Sequence, residues 1–195
     1  MRLHYVTSNE KKFREAELIL HREPHTLPHL EFIHAHIDLD ELQGMPEDII
    51  THKTNRAFEE VQAPVIVDDI SFGLNALKGL PGPYIKTFLY TIYPEGLWEL
   101  ASHYEDRRCS ASCYIGLRLP HEDQCHVFSG HIEGTVVEPR GSQHCGRISW
   151  NNIIVPDGST RTAAEMTLDE FSQISPRNKA LSQLKEFLHN MESQN

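Results

Sequence analysis

Residues 63–69, APVIVDD, form a short apolar segment that ends in two adjacent carboxylates. Its Val and Ile residues predict a buried strand with Asp68 and Asp69 at the C-terminal end. Adjacent carboxylates repel each other unless a cation or protons compensate the charge. Because successive side chains of a strand point to opposite faces, one aspartate could bind Mg²⁺ while the other orients water. The alternative is a strand end exposed to solvent.

Strands and helices alternate around this segment. Upstream, the sequence predicts a strand at LHYVTSN, a helix from about Glu10 to His21, a strand at LEFIHAHIDL, and a helix that follows MPEDII and runs to about Gln62. Downstream, it predicts helices at PYIKTFLYTI and EGLWELASHY, strands at SASCYIGLRL, CHVFSGHIEGTVV and NNIIVPDG, and a last helix after Pro176. Alternation followed by a strand-rich part predicts an α/β fold with a mixed sheet. Ligands of such sheets usually bind at the C-terminal ends of the strands.

Composition and charge limit the class of protein. A chain of 195 residues can bury a sizeable core, and we expect one domain over residues 1–195. The formal net charge of −10 argues against a nucleic-acid polymer as partner, because such a partner requires a basic surface. The sequence shows no signal peptide, and no run approaches the roughly 20 apolar residues of a membrane span. We therefore expect a cytoplasmic protein with no membrane partner.

The cysteines and histidines give weaker indications. The four cysteines have the spacing neither of a CxxC pair nor of a disulfide framework, which favours free thiols in a reducing compartment: Cys109, Cys113, Cys125 and Cys145. His34 and His36 lie two residues apart and would share one face of a strand, as two zinc ligands could. No further Cys or His follows at a matching spacing, so histidines on a strand surface are the preferred interpretation.

Two segments could hold phosphate. VTSNEKK, residues 6–12, places Thr7, Ser8 and Asn9 at a strand-to-helix turn, where backbone N–H groups and a following lysine could bind an anion. This is not a P-loop, because the glycines and the GK[ST] ending are missing, and N-capping by Ser8 or Asn9 is the alternative. LKGLPGPYIK, residues 77–86, is a Gly/Pro-rich loop that delivers Lys86 to a helix start, or else a structural turn.

Two further segments offer candidate ligands. RISWNN, residues 147–152, provides Trp150 as an aromatic face for a base, beside amides that could contact the base edge, although Trp150 could equally be a core residue. Glu41 in DLDELQG is a candidate second acidic ligand for a metal. Near the C-terminus, Ser175 followed by Pro176 suits the start of a helix.

Taken together and in this order, these segments resemble the inosine triphosphate pyrophosphatase family. TSNEKK resembles the family motif T-G-N-x-x-K, and IDLDELQG resembles D-L-x-E-x-Q-G. VDDISFGLNALKGLPGPYIKTFL resembles the acidic strand end and the L-x-G-x-P-G-x-Y loop, and FSGHIEGTVVEPRG resembles F-x-G-x-x-x-G-x-I followed by Arg-Gly. The resemblance covers nearly the whole chain. It implies a strongly twisted mixed sheet with flanking helices, and two lobes around a nucleotide cleft.

The resemblance also implies an activity and a set of residue roles. The family hydrolyses deaminated purine nucleoside triphosphates to the monophosphate and pyrophosphate with Mg²⁺, commonly as homodimers. The residues that match its motifs are Thr7, Asn9, Lys12 and Lys86 for phosphate, Glu41, Asp68 and Asp69 for the metal, and Trp150, Asn151, Ser175 and Arg177 for the base. Asp69 matches the aspartate that orients or deprotonates the attacking water.

The departures from the family lie mainly in the base-binding motifs. The family's F-G-W-D-P corresponds here to Ile148-Ser149-Trp150-Asn151-Asn152. EMTLDEFSQISPR corresponds to the family's final motif, with Phe171 in place of a lysine, Ser172 in place of an asparagine and Pro176 in place of a histidine. In the first motif, Ser8 replaces the glycine of T-G-N. Losing one hydrogen-bond partner in a desolvated site costs about 1–3 kcal/mol. We therefore expect a pyrophosphatase with shifted base specificity, or alternatively an inactive relative that binds a nucleotide or a protein.

Overall fold

The computed structural model of the chain describes residues 1–22, 27–142 and 144–193. Its strands are β1 (Arg2–Val6), β2 (Glu31–Ala35), β3 (Val65–Leu74), β4 (Pro81–Gly82), β5 (Arg108–Arg118), β6 (Cys125–Val136) and β7 (Ile154–Pro156). Its α-helices are α1 (Glu10–His21), α2 (Pro46–Val61), α3 (Ile85–Thr91), α4 (Tyr93–Ser102), α5 (Leu168–Ile174) and α6 (Pro176–Ser193). Short 3₁₀ helices cover Asn75–Leu77, Trp150–Asn152 and Ala163–Glu165.

The strands form one mixed sheet in the order β2-β1-β3-β5-β6-β7, with β4 paired to β3. β1 runs parallel to both β2 and β3, whereas β4 and β7 pair antiparallel with β3 and β6. The parallel pairs come from the alternating N-terminal part, because parallel neighbours need a crossover helix. The predicted α/β fold with a mixed sheet is therefore confirmed.

The chain divides into two compact units. The first comprises the described residues of Met1–Asp69, Cys113–Ser129 and the chain from Arg177 onward, and the second comprises Ile70–Ser112 and Gly130–Pro176. A core cluster of the first unit packs α2 onto the sheet through Val6, Ile50, Ala57, Val65 and Val67. The second unit has a core cluster of its own, which includes Phe72, Leu97, Ile153 and Phe171.

Local sequence accounts for most helix ends. Asn9 caps α1, and Pro46 occupies the first turn of α2, where its missing N–H costs nothing. The C-terminal segment differs from the prediction of a single helix, because α5 precedes α6. Thr167 and Glu170 form a capping box that starts α5, and Ser175 ends it by donating its N–H to the carbonyl of Phe171. The following Pro176 starts α6, as predicted.

Two further sequence expectations concern the cysteines and membrane-spanning helices. The four cysteines, which all lie within the described residues, form no disulfide. Among the helices that the structure describes, none has the length and apolar character needed to cross a membrane.

Candidate active site

The turn between β1 and α1 is organised by its own side chains. Thr7 accepts a hydrogen bond on Oγ1 from the N–H of Asn9 at 3.1 Å. Asn9 in turn accepts on Oδ1 from the N–H groups of Lys11 at 3.0 Å and Lys12 at 3.4 Å. Asn9 is therefore the N-cap of α1. Ser8 replaces a family glycine without strain, since its backbone does not adopt the left-handed conformation that favours glycine.

Asp68 is the most buried carboxylate of the acidic strand end. Only 2% of its side chain is exposed, and Lys12 Nζ donates to Oδ1 at 3.0 Å. Arg177 donates to Oδ2 through Nε at 3.2 Å and Nη2 at 3.1 Å. Burial alone would raise the pKa of Asp68, but the charges of Lys12 and Arg177 outweigh it and hold the pKa well below its usual range. Asp68 is therefore an anion with two cationic partners.

Arg177 joins α6 to two other elements of the first unit. Its guanidinium contacts Glu15 of α1 at 2.6 Å as well as Asp68 of β3, and 14% of its side chain is exposed. The resemblance assigns Arg177 to the base. The structure places the guanidinium against Asp68, a contact between residues 109 positions apart that the sequence did not predict.

Asp69 has a different cation from Asp68. Its Oδ1 accepts a hydrogen bond from Lys53 Nζ at 3.0 Å, and Lys53 Nζ also lies 3.9 Å from Oε1 of Glu41. Burial raises the pKa of Asp69 above its ordinary value, and the positive charge of Lys53 only partly opposes this. A carboxylate with a raised pKa beside a buried lysine is a candidate proton acceptor.

The three predicted metal ligands do not share one cation. Glu41 and Asp69 both approach Lys53, whereas Asp68 contacts Lys12 and Arg177. The alternation of side chains along β3 explains the separation. Across the three described ranges, no group of three or more His, Cys, Asp or Glu residues is placed to hold a metal ion. His34 and His36 therefore do not belong to such a group.

Sequence reasoning overlooked Lys53. It lies on the buried face of α2 together with Ile49, Ile50, Thr54 and Ala57, and only 9% of its side chain is exposed. A lysine at helical spacing within an apolar face is the pattern that could have identified it, because a buried lysine needs a paired charge. Glu15 and the buried Tyr5, which hydrogen-bonds to Asp68, showed no comparable pattern.

In the second unit, the Gly/Pro-rich loop is packed tightly against β3. A Cβ on Gly73 would lie 2.4 Å from the carbonyl oxygen of Gly79, and Gly79 itself has a φ of +94°. Both positions therefore require glycine. The loop leads into α3, where Lys86 is the second residue and is exposed.

Trp150 and Phe171 belong to an aromatic cluster of the second unit. The Trp150 ring lies 6.0 Å from Phe72 and 6.1 Å from Phe171, and His144 stacks on Phe171 at 5.3 Å. Phe171 is 7% exposed, so the position at which the family has a phosphate-binding lysine is here part of the core. Trp150 remains half-buried.

The other predicted base-binding residues of this unit are buried. Asn151 is 8% exposed and Ser175 1%. The Oδ1 atom of Asn151 has no hydrogen-bond partner within the described part of the chain. Its backbone N–H donates to Ser149 Oγ at 3.2 Å, which fixes the start of the 3₁₀ turn. A buried acceptor without a protein donor is costly unless another donor satisfies it.

Nearly the whole chain matches a known protein family. The sequence pattern of the Ham1 family covers residues 3–187. The chain belongs to the Ham1 family. The family prediction made from the motifs is therefore confirmed.

Curated relatives and solved structures agree with this assignment. The inosine triphosphate pyrophosphatase of Schizosaccharomyces pombe is 36% identical over 184 residues, which cover 94% of this chain and 93% of that protein. The enzyme of the same name from Mycosarcoma maydis is 37% identical over 193 residues, which cover 99% and 97%. A HAM1 protein from Coxiella burnetii shares the fold, with a TM-score of 0.84, 23% identity and coverage of 97% and 99%. Both curated relatives of this Ham1 protein are thus named as inosine triphosphate pyrophosphatases.

Proposed function

We propose that this protein is a Mg²⁺-dependent pyrophosphatase that cleaves a nucleoside or deoxynucleoside triphosphate to the monophosphate and pyrophosphate. We further propose that its base specificity is shifted from inosine and xanthine. The observation that carries the first proposal is the group formed by Asp69, Lys53 and Glu41. In this group, the ammonium of the buried Lys53 lies between Asp69, whose pKa is raised, and the carboxylate of Glu41.

The residues present suit a magnesium ion. Mg²⁺ binds proteins through one or two carboxylates and completes its shell with water and substrate phosphates. Glu41 and Asp69 supply two such carboxylate ligands. Their combined negative charge exceeds the positive charge of Lys53 by one unit. Asp68 was predicted as a third ligand, but we assign it to charge pairing with Lys12 and Arg177. When bound, the ion would neutralise the polyphosphate and polarise the phosphoryl group under attack.

Asp69 is proposed to act on the attacking water. The carboxylate accepts a proton from a water molecule whose oxygen forms a bond to the α-phosphorus. The bond from that phosphorus to the oxygen bridging the α- and β-phosphates breaks in line, and pyrophosphate leaves with the bonding electrons. Lys53 opposes the effect of burial on the pKa of Asp69 and orients the carboxylate through its 3.0 Å hydrogen bond.

The phosphate ligands are proposed to be Thr7, Asn9, Lys12 and Lys86. The Asn9 side chain uses Oδ1 to cap α1, so its amide N–H₂ is the group we assign to phosphate. Lys12 can turn from Asp68 to a phosphate because Asp68 keeps both hydrogen bonds from Arg177. The buried carboxylate is then never left without a cation.

The shifted base specificity rests on the second unit and on Arg177. Trp150 is proposed to stack on the base, with Asn151, Ser175 and Arg177 as polar contacts. The unsatisfied Oδ1 of Asn151 supports a donor on the base edge. Pro176 cannot replace the hydrogen bond of the family's histidine, and the exposed Ile148 lacks the aromatic ring of the family's Phe.

A panel of nucleoside and deoxynucleoside triphosphates, assayed for pyrophosphate release with Mg²⁺, tests this function. We expect turnover of at least one nucleotide other than inosine triphosphate. Asp69→Asn should lower turnover by at least about 100-fold, as expected for loss of a general base. The matched control is Asp123→Asn, an exposed aspartate between β5 and β6, which should retain full activity.

The second candidate function is nucleotide binding without catalysis. The packing of Phe171 in the core favours it, since the charge of the family's lysine is lost at that position. Calorimetric binding of a nucleotide with no turnover across the panel would establish this alternative and refute the enzymatic one. Loss of a measurable turnover in Asp69→Asn would refute the alternative.

A homodimer and a cytoplasmic location complete the proposal. The homodimer follows from the resemblance, and the cytoplasmic location follows from the sequence expectations above. Exposed apolar side chains on consecutive helices of the second unit are compatible with a protein partner, and include Tyr90 at 66% and Tyr93 at 51%.

A further inference from the structure

His34 lies on β2 beside the turn that is proposed to bind phosphate. β2 pairs with β1 in a register that sets His34 opposite Tyr5 and Ala35 opposite Val6. Thr7 follows directly after β1, so the end of β2 reaches the first residue of the turn. The function proposed above uses neither His34 nor its neighbour His36.

Both peptide groups of Thr7 are attached to β2. The N–H of Thr7 donates to the carbonyl of Ala35 at 3.1 Å, and the carbonyl of Thr7 lies 2.9 Å from Nε2 of His34. A carbonyl oxygen only accepts, so Nε2 carries the proton and donates it. Because a trans peptide group is planar, fixing the Thr7 carbonyl also fixes the direction of the Ser8 N–H.

Aromatic packing holds the imidazole in the position that this bond requires. The ring of Phe13 on α1 stacks on His34 at 4.5 Å with 8° between the planes, and on Phe32 at 4.9 Å with 4°. His36 contacts His34 at 4.0 Å. Packing reduces the rotamer freedom of His34, so the bond to Thr7 is formed at a small entropic cost.

We propose that His34 is a positioning residue, whose Nε2–H bond to the Thr7 carbonyl orients the turn that receives the triphosphate. This inference rests on the proposed function. The turn also begins α1, which carries Lys12, so the bond orders both the backbone and the lysine assigned to phosphate. Ordering the turn before the substrate arrives lowers the cost of binding. His34 itself does not contact the reacting atoms and is not expected to change the chemical step.

Three variants test the role of the hydrogen bond. His34→Phe keeps an aromatic ring beside Phe13 but removes the donor, and KM should rise about 2- to 12-fold while kcat changes little. His34→Gln keeps an N–H donor near the position of Nε2 and should restore most of the affinity. The matched control is His36→Phe, which alters the same aromatic group without touching Thr7 and should leave KM unchanged.

The outcomes separate the bond from the packing. An unchanged KM in His34→Phe, or a change confined to kcat, would overturn the inference. An equal rise of KM in His36→Phe would also overturn it, because packing rather than the bond would then be responsible. A His34→Gln variant that behaves like His34→Phe leads to the same conclusion.

Amide hydrogen exchange of the nucleotide-free protein gives a readout that does not depend on activity. Exchange at residues 7–12 should be about 2- to 12-fold faster in His34→Phe and unchanged in His36→Phe. Equal exchange in His34→Phe and the wild type would overturn the inference even if the enzyme is active. A wild-type protein without turnover would refute the proposed function, whereas the exchange comparison would still test the positioning of the turn.

Discussion

Asp69 is the residue on which the proposed chemistry depends, and its pKa is set by two opposing effects. Burial raises the pKa, and the ammonium of Lys53 at 3.0 Å lowers it. In the proposed chemistry, the charged form of Asp69 accepts the proton of the attacking water. Turnover should therefore fall as the pH falls through the pKa of Asp69.

Replacing Lys53 tests this balance. In Lys53→Met the opposing charge is lost, the pKa of Asp69 rises further, and the acidic limb of the kcat/KM profile should move to higher pH. The pH dependence of kcat/KM measures the shift. Lys179→Met, which removes an exposed lysine of α6, should leave the limb in place. An unmoved acidic limb in Lys53→Met would show that Lys53 does not control the protonation of Asp69.

Phe171 and Asn151 show how single substitutions are accommodated. Phe171 packs against Trp150 and His144, so the loss of the family's lysine is compensated by apolar burial in the second unit. Asn151 is instead left with a buried acceptor that no described protein group satisfies. The first change therefore contributes to packing, whereas the second supports the base contact proposed above.

At the scale of elements, Arg177 connects the start of α6 with α1 and β3. Its guanidinium, 14% exposed, pairs with Glu15 and with Asp68, which is 2% exposed. Removing one member of a buried charge group leaves the others uncompensated. The attachment of α6 should therefore depend strongly on this one side chain.

Urea denaturation of Arg177→Met measures that dependence. We expect the free energy of unfolding to fall by about 3 kcal/mol, because Lys12 is then the one cationic partner of Asp68 among the described residues. Arg161→Met is the matched control, since Arg161 and Glu170 form an exposed pair and little change is expected. Similar losses in both variants would contradict the stabilising role assigned to Arg177.

The elements also show which parts of the fold are predictable from local sequence. α1 was predicted from Glu10 to His21 and has those bounds, because Asn9 supplies a strong cap. α5 was missed, since its seven residues are too few for a clear helical period and only its capping box marks it. β3 extends to Leu74, beyond the predicted end at Asp69, because pairing with β4 continues the strand.

At the scale of the molecule, assembly is the main open proposal. A homodimer should sediment with twice the mass of the 22.4 kDa chain. Sedimentation equilibrium over a range of protein concentrations measures this directly. A single species of 22.4 kDa at every concentration would refute the dimer without affecting the proposed activity.

The sequence by itself determined the family, the order of the strands and helices apart from β4 and α5, and the placement of Asp68 and Asp69 on opposite faces of one strand. These features depend on neighbouring residues, since side-chain periodicity and helix capping act over a few positions. Only the tertiary structure decided the partner of each carboxylate. Asp68 meets Arg177 from 109 positions away, and Asp69 meets Lys53 of α2. Such pairs depend on how helices pack on the sheet, which no local pattern specifies.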